Sequence, residues 1–160
     1  MFDIFKKLIP KKPEVLTLND PDFGHITFFQ SNSDPSVGIW QMNENWEMPE
    51  DFASVGCSSI PGTTSGPDDN ARAFLLSKKA SLQSVWSLVS VRLETIRAKW
   101  RPDTGQRDLR EVFRLTSLSL DEPMTDPPDW EVSFEPVDGT WIFASVQLCG
   151  NNITGDTVDT

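Results

Sequence analysis

The chain has 160 residues, of which 38% are hydrophobic and 24% charged, with a formal net charge of −10, a balance that fits one globular domain with a core of its own. No apolar run approaches the ~20 residues a membrane-spanning helix needs, and two cysteines with one histidine are too few for a disulfide framework or a usual zinc site. The lysines near the start lead into no continuous apolar stretch with a small-residue cleavage site, so no secretory signal is expected and the chain reads as cytoplasmic.

Residues 1–12 form a basic N-terminal extension. Phe2, Phe5 and Ile9 recur at helical spacing beside lysines until Pro10 interrupts. The segment is too short for stable membrane association, so docking on the body or disorder is expected. A single α+β domain is expected over residues 13–160.

From residue 15 to residue 60 the pattern is strand-like. Around Gly24, Ile26 and Phe28 alternate with His25, Thr27 and Phe29. Asp34-Pro35-Ser36 marks a turn, Val37–Met42 a second strand containing Ile39 and Trp40, and residues 52–60 a third, with Val55 and Cys57 on one side. The Gly-, Ser- and Thr-rich residues 58–66 are expected to end this antiparallel meander.

The period then changes. Ala71, Leu75, Leu82, Val85, Trp86, Val89, Leu93, Ile96 and Trp100 form one apolar stripe. Gly66-Pro67 opens the helix, Asp68 and Asp69 lie at its positive end, and Arg97, Lys99 and Arg101 at its negative end. Pro102 stops it. One long helix over residues 68–100 is predicted.

Strands return after it. In residues 112–120, Phe113 and Leu115 share one parity and Leu118 and Leu120 the other, which predicts a bulge near Thr116-Ser117. A proline-bearing acidic loop covers residues 121–129. Trp130, Val132 and Phe134 then alternate with Glu131, Ser133 and Glu135. Asp138-Gly139 reads as a two-residue hairpin turn into a strand over residues 141–149, with Ile142, Ala144, Val146 and Leu148 inward. A turn at Gly150-Asn151-Asn152 leads to a last short strand. The predicted fold is α+β, with antiparallel meanders before and after one long central helix that packs on the sheet.

Charge is segregated along this order. Residues 1–12 carry +3 and residues 68–101 carry +4, which leaves −17 on the remainder. Residues 13–67 hold eight acids and neither Lys nor Arg. Such a field repels nucleic acid and draws basic partners over a screening length of ~8–10 Å. Solubility is its other use.

Few residue groups suggest chemistry. His25 and Cys57 could make a nucleophilic pair, but parity puts them on different strand faces, and a buried thiol beside a strand histidine is the simpler reading. The loop Gly62-Thr63-Thr64-Ser65-Gly66 lacks the lysine of a phosphate cradle and precedes Asp68-Asp69, so it reads as a strand-to-helix connection with an N-cap. Asp68-Asp69 and Asp121-Glu122 lack the spacing of a cation loop. No catalytic residue, cofactor or metal is expected, and Cys57 and Cys149 are expected to be reduced and silent.

Two stretches suggest binding instead. Residues 43–51 set Trp46 and Met48 among Glu44, Glu47, Glu50 and Asp51. Trp46 is there either an aromatic anchor ringed by steering acids or an indole turned inward to cap the core. Asp121, Glu122 and Asp126, stiffened by prolines, repeat the texture as a secondary patch or as a plain acidic connector.

Asp20-Pro21-Asp22-Phe23-Gly24 entering a strand, Trp40 in the next, Gly66-Pro67 before the helix, Asp108-Leu109 before Leu115-Thr116-Ser117-Leu118, and Trp130-Glu131-Val132-Ser133-Phe134 together resemble uncharacterised families of small bacterial cytosolic proteins. The resemblance spans residues 15–158. Members are often encoded beside polymorphic or secreted toxins, and the resemblance implies an immunity-type protein that occludes its toxin stoichiometrically and has no known catalytic residues. The expected partner is a basic protein toxin, with neither nucleic acid nor stable membrane association. The alternative is an acidic decoy or adaptor of phage or mobile-element origin, and a third reading is a small hydrolase built on Cys57 or the carboxylates.

Overall fold

Two antiparallel meanders flank a helical segment in the computed structural model, which describes residues 15–160 apart from Glu50, Asp51, Ser54 and Cys57. Strands β1 (Thr17–Asp20), β2 (Gly24–Gln30), β3 (Val37–Met42), β4 (Ser59–Thr63) and β5 (Gly66–Pro67) pair in sequence order. Helices α1 (Asp69–Ala80) and α2 (Leu82–Trp100), a 3-10 turn at Pro102–Thr104 and the short α3 (Leu109–Val112) follow. Strands β6 (Phe113–Ser119), β7 (Asp129–Pro136), β8 (Phe143–Cys149) and β9 (Asn152–Asp159) make the second sheet, again in order. This is the predicted α+β arrangement. The N-terminal extension lies outside the described residues.

The predicted single helix is two. Ser81 leaves helical geometry (φ −112°, ψ 30°), although its N–H still donates to the Ser77 and Lys78 carbonyls. Its hydroxyl also donates to the Ser77 carbonyl at 2.8 Å, a local bond that competes with regular helix. Only one residue is lost, so the apolar phase survives the break. Ala71, Leu75, Leu82, Val85, Val89, Leu93 and Ile96 are all buried, and Asp68 caps α1 by accepting from the Asn70 and Ala71 N–H groups. Trp100, at 37% exposed, falls off the buried stripe.

The stripe meets one face of both sheets. Ile26, Trp40 and Ile60 come from the first, and Leu118, Val132, Phe134, Ala144, Val146 and Leu148 from the second. Edge-on contacts of Phe74 with Trp130 and Trp86 with Phe134, with centroids 5.6 and 5.9 Å apart, fix the helices over β7.

The third strand lies later than predicted. Over residues 52–58 the described residues form no strand, Val55 making an isolated bridge with Trp46, and β4 runs through the Pro-Gly stretch read as the end of the sheet. The reason is close backbone approach rather than strand propensity. A Cβ on Gly62 would stand 2.4 Å from the Gly66 carbonyl oxygen, and one on its partner Gly38 2.1 Å from that of Phe29. Only glycines let the sheet curl here.

A seam joins the sheets. The Leu120 N–H donates to the Ser59 carbonyl at 3.0 Å, the Leu118 N–H to the Ser58 hydroxyl at 3.1 Å, and the Ser59 N–H to the Ser119 hydroxyl at 3.3 Å. The Ser59 hydroxyl donates to the Asp121 carboxylate.

The bulge is where parity placed it, between Leu115 and Ser117. The two-residue turn at Asp138-Gly139 is instead a loop over residues 137–142, with β8 starting at Phe143 and Ile142 only half-buried. Asp138 is drawn out of a tight turn by Arg101 Nη2 at 2.7 Å and by the Thr140 N–H and hydroxyl at 3.0 and 2.8 Å. Strand β9 has eight residues, longer than the short strand expected.

Leu93 is fully buried. Leu93→Ala is expected to cost ~2–5 kcal/mol in denaturant unfolding, and an unchanged midpoint would show that α2 does not hold the two sheets together.

Candidate functional site

The basic residues of the helices are mostly used inside the molecule. Arg72 on α1 reaches Asp20 Oδ1 at 2.8 Å and Asp22 Oδ2 at 2.7 Å. The Asp20 side chain is 1% exposed and its Oδ1 also accepts from the Asp22 and Phe23 N–H groups, so it closes the β1–β2 turn. Arg101, with its side chain 7% exposed, clamps Asp103 and Asp138. Arg92 pairs with Asp156 at 3.2 Å and Arg97 with Glu94 at 2.6 Å. The Lys78 ammonium lies 4.9 Å from the Phe74 ring centroid, and that of Lys79 lies 4.6 Å from the Trp46 centroid.

Trp46 is turned inward. It is 5% exposed, packs edge-on against Phe23 at 5.3 Å, and donates its indole N–H to the Asp22 carbonyl at 3.0 Å. Its reading as a projecting anchor is therefore corrected, because the backbone bridge to Val55 turns the indole toward α1. Glu44 and Glu47 stay exposed on either side of it, while Glu50 and Asp51 lie outside the described residues. Asp121, Glu122 and Asp126 are exposed on the β6–β7 connection. No hydrogen bond or ion pair holds Glu44, Glu47, Glu122 or Asp126 among the described residues, so their charge faces outward.

The open faces of the sheets, away from the helices, bring other residues together. A cleft of about 610 Å³ lies over the second sheet and against the seam, bordered by Asn45 of the β3–β4 connection and lined by Ser59, Asp121, Glu131, Ser133 and Phe143. A second of about 540 Å³ lies on the first sheet, where Phe29, Ile39 and Pro61 make an apolar floor beside Asp34, Asp121 and Glu122. A third of about 310 Å³ again includes Asp121 and Glu122 with Asp129 and Glu131. Of the expected secondary patch, Asp121 lines all three clefts, Glu122 two of them and Asp126 none, and Asn45, next to Glu44, is the link to the other acidic loop.

Sequence reasoning missed the end of the second sheet. Trp141 is 89% exposed, with Val137 and Phe143 about half exposed. The strand expected over residues 141–149 already set Trp141 opposite the inward Ile142, and that parity was the available signal for its exposure.

The other candidates are quiet. His25 Nδ1 lies 3.0 Å from Asn19 Oδ1, and Cys57 lies outside the described residues. The Asp129 carboxylate beside Cys149, helped by burial, holds that thiol above its ordinary pKa. Gly62-Thr63-Thr64-Ser65-Gly66 is the β4–β5 hairpin before the Asp68 cap. Among the described residues no three His, Cys, Asp or Glu side chains converge as metal ligands, and no helix is long and apolar enough to cross a membrane. Comparison with protein-family models, curated proteins and solved structures found no match to the chain.

Burial alone would raise the Asp20 pKa, but Arg72 and the two N–H donors outweigh it and hold the carboxyl below its usual value. Asp103 and Asp138 are lowered by hydrogen bonds from Arg101 first of all. Depressed carboxylates contribute stability above the unfolded pKa and lose it as pH falls through the folded value. The thermal midpoint is therefore expected to be level from neutral pH down to about pH 5 and to drop below about pH 4. In Arg72→Met the uncompensated burial of Asp20 should lower the midpoint most at neutral pH and make the acid drop smaller than in the parent, and an unaltered profile would contradict the clamp.

Proposed function

We propose that the chain is a stoichiometric binding protein that docks a basic protein partner through the open faces of its sheets and silences a toxin by occlusion. The observation that carries this reading is a division of labour among the acids. Asp20, Asp68, Asp103 and Asp138 are spent on turns, caps and arginine clamps. Glu44, Glu47, Glu122 and Asp126 have no such employment among the described residues, and the exposed Asp121 lines three clefts and its neighbour Glu122 two of them. Clefts with an apolar floor and an acidic rim suit a protein surface that brings cations around an apolar centre. The rim acids would raise the association rate at low salt, and the buried apolar contacts would set dissociation.

The partner to test is the product of the adjacent gene. A 1:1 complex is expected, with protection complete at equimolar amounts. Asp121→Lys with Glu122→Lys should slow association several-fold and flatten its salt dependence, and Glu44→Lys with Glu47→Lys should act in the same direction. Glu111→Lys on α3 is the control and should do little. Protection by substoichiometric protein would indicate turnover and overturn the reading. Equal effects from the control would reduce the acids to solubility, and equal binding to unrelated basic proteins would point to a charge decoy instead.

A further inference from the structure

The ladder registers of the second sheet place a row of hydroxyls across all four strands on its open face. Ser117 pairs with Ser133, Ser133 with Ser145, and Ser145 with Thr157. On one side of this row stands Ser119, Glu131 and Gln147, and on the other Arg114 with Glu135, next to Phe143. Rows on one face are two residues apart, ~6.6–6.8 Å. Small hydroxyls between longer side chains make a trench, and Ser117, Ser133 and Ser145 are buried on its floor. The bulge contributes here: its extra residue, Thr116, also lines the cleft, and the Thr116 hydroxyl oxygen is buried with no partner among the described residues.

The two ends of the trench differ in charge. Glu135 is neutralised by Arg114, whose Nε lies 2.6 Å from its carboxylate. Among the described residues Glu131 faces no cation. It accepts from the Ser133 hydroxyl at 3.1 Å and from Gln147 Nε2 at 2.8 Å, and Asp121 accepts from the Ser59 hydroxyl. Each carboxylate has about four acceptor positions, so both retain unused ones. With Ser133 donating to Glu131, the 3.0 Å bond between Ser133 and Ser145 must have Ser145 as donor. The hydroxyl protons of this network therefore run toward Glu131, and this end is rich in acceptors and negative charge. Anions are repelled. Its complement is a cation with several N–H donors.

We propose that this trench binds a guanidinium or alkylammonium group, with the cationic head at Glu131 and Asp121 and the Thr116 hydroxyl, across the serine row, as an acceptor for a second donor farther along the ligand. Phe143, 43% exposed at the far end, offers an apolar surface to the alkyl stem. A guanidinium fits best, because its five fixed donors can satisfy separate carboxylate and hydroxyl acceptors at once. The group can come from an arginine or lysine of a docked protein or from a free small amine. For the protein source the inference rests on the docking reading above; for the free cation it stands alone.

The test is titration of the purified protein with agmatine, spermidine and a short arginine-containing peptide, read by calorimetry and by backbone amide shifts at physiological salt. Saturable 1:1 binding is expected, with shifts concentrated at Thr116–Ser119 and Ser133 positions. Glu131→Gln keeps the shape while losing the charge, with one of its two hydrogen bonds reversed in direction by a turned amide, and should weaken binding about tenfold. Thr116→Val should weaken it by a smaller factor, and Glu111→Gln on α3, which is exposed and lines none of the clefts, should leave it unchanged. Thermal melts check that each variant folds. No saturable binding of any probe, or equal binding by Glu131→Gln, would overturn the site. If Glu131→Gln loses agmatine but still binds the protein partner, the source is a free cation and docking stands. If it loses both, the source is a partner side chain. If agmatine binds and the partner does not, the trench stands and the docking reading falls.

Discussion

Everything on the open side of this protein depends on the seam where β4 meets β6. The two meanders are wound independently, one on each side of the helical segment in sequence, and each could end in an exposed strand edge. Ser58 and Ser59 prevent that: the Ser58 hydroxyl accepts from the Leu118 N–H, the Ser59 carbonyl accepts from the Leu120 N–H, and the Ser59 N–H donates to the Ser119 hydroxyl. An unpaired buried amide costs ~1–3 kcal/mol, so the seam is specified as strongly as a ladder would be. With the edges joined, a single apolar stripe on α1 and α2 can cover both inner faces. The outer faces then run into each other, with Asp121 tethered at the join by Ser59.

Magnitudes separate the acids that hold the fold from those free to act on a partner. Removing the cation from a buried pair such as Arg72–Asp20 leaves an uncompensated charge, at a cost on the order of 3–5 kcal/mol. Exposed pairs are worth ~0–1 kcal/mol, and lone exposed carboxylates such as Glu47 and Glu122 add nothing to the fold by pairing. Their repulsion is a small burden on stability, and their field acts on molecules in solution. The same division explains why a helical segment of net +4 does not present itself as a basic surface: its arginines point their charge at Asp20, Asp138, Asp156 and Glu94.

Much of the fold was legible where side-chain periodicity carries the information. The bulge at Thr116 followed from a switch of parity within one strand, and the helical stripe from its spacing. The break at Ser81 was illegible because a single non-helical residue leaves the phase of Leu75 and Leu82 intact. The strand β4 was illegible for a different reason: Pro61 and Gly62 are poor strand formers, and their place is set by backbone crowding against Gly66 and Pro67 that only the folded chain creates. Of the candidate site, the acids of the β6–β7 connection could be read and the direction of Trp46 could not, since both of its readings share one pattern. The hydroxyl trench has no local signal at all. Ser117, Ser133, Ser145 and Thr157 are ordinary outward positions on four strands, and they become a row only through the register.

The central claim is that binding occurs on the open faces and not on the helices. Hydrogen–deuterium exchange of the protein, free and bound to the product of the adjacent gene, tests it directly. The account predicts slowed exchange at the β3–β4 and β6–β7 connections and along β6, with the solvent-facing side of α1 and α2 unchanged. Protection confined to α1 and α2, with the open faces exchanging as in the free protein, would contradict it.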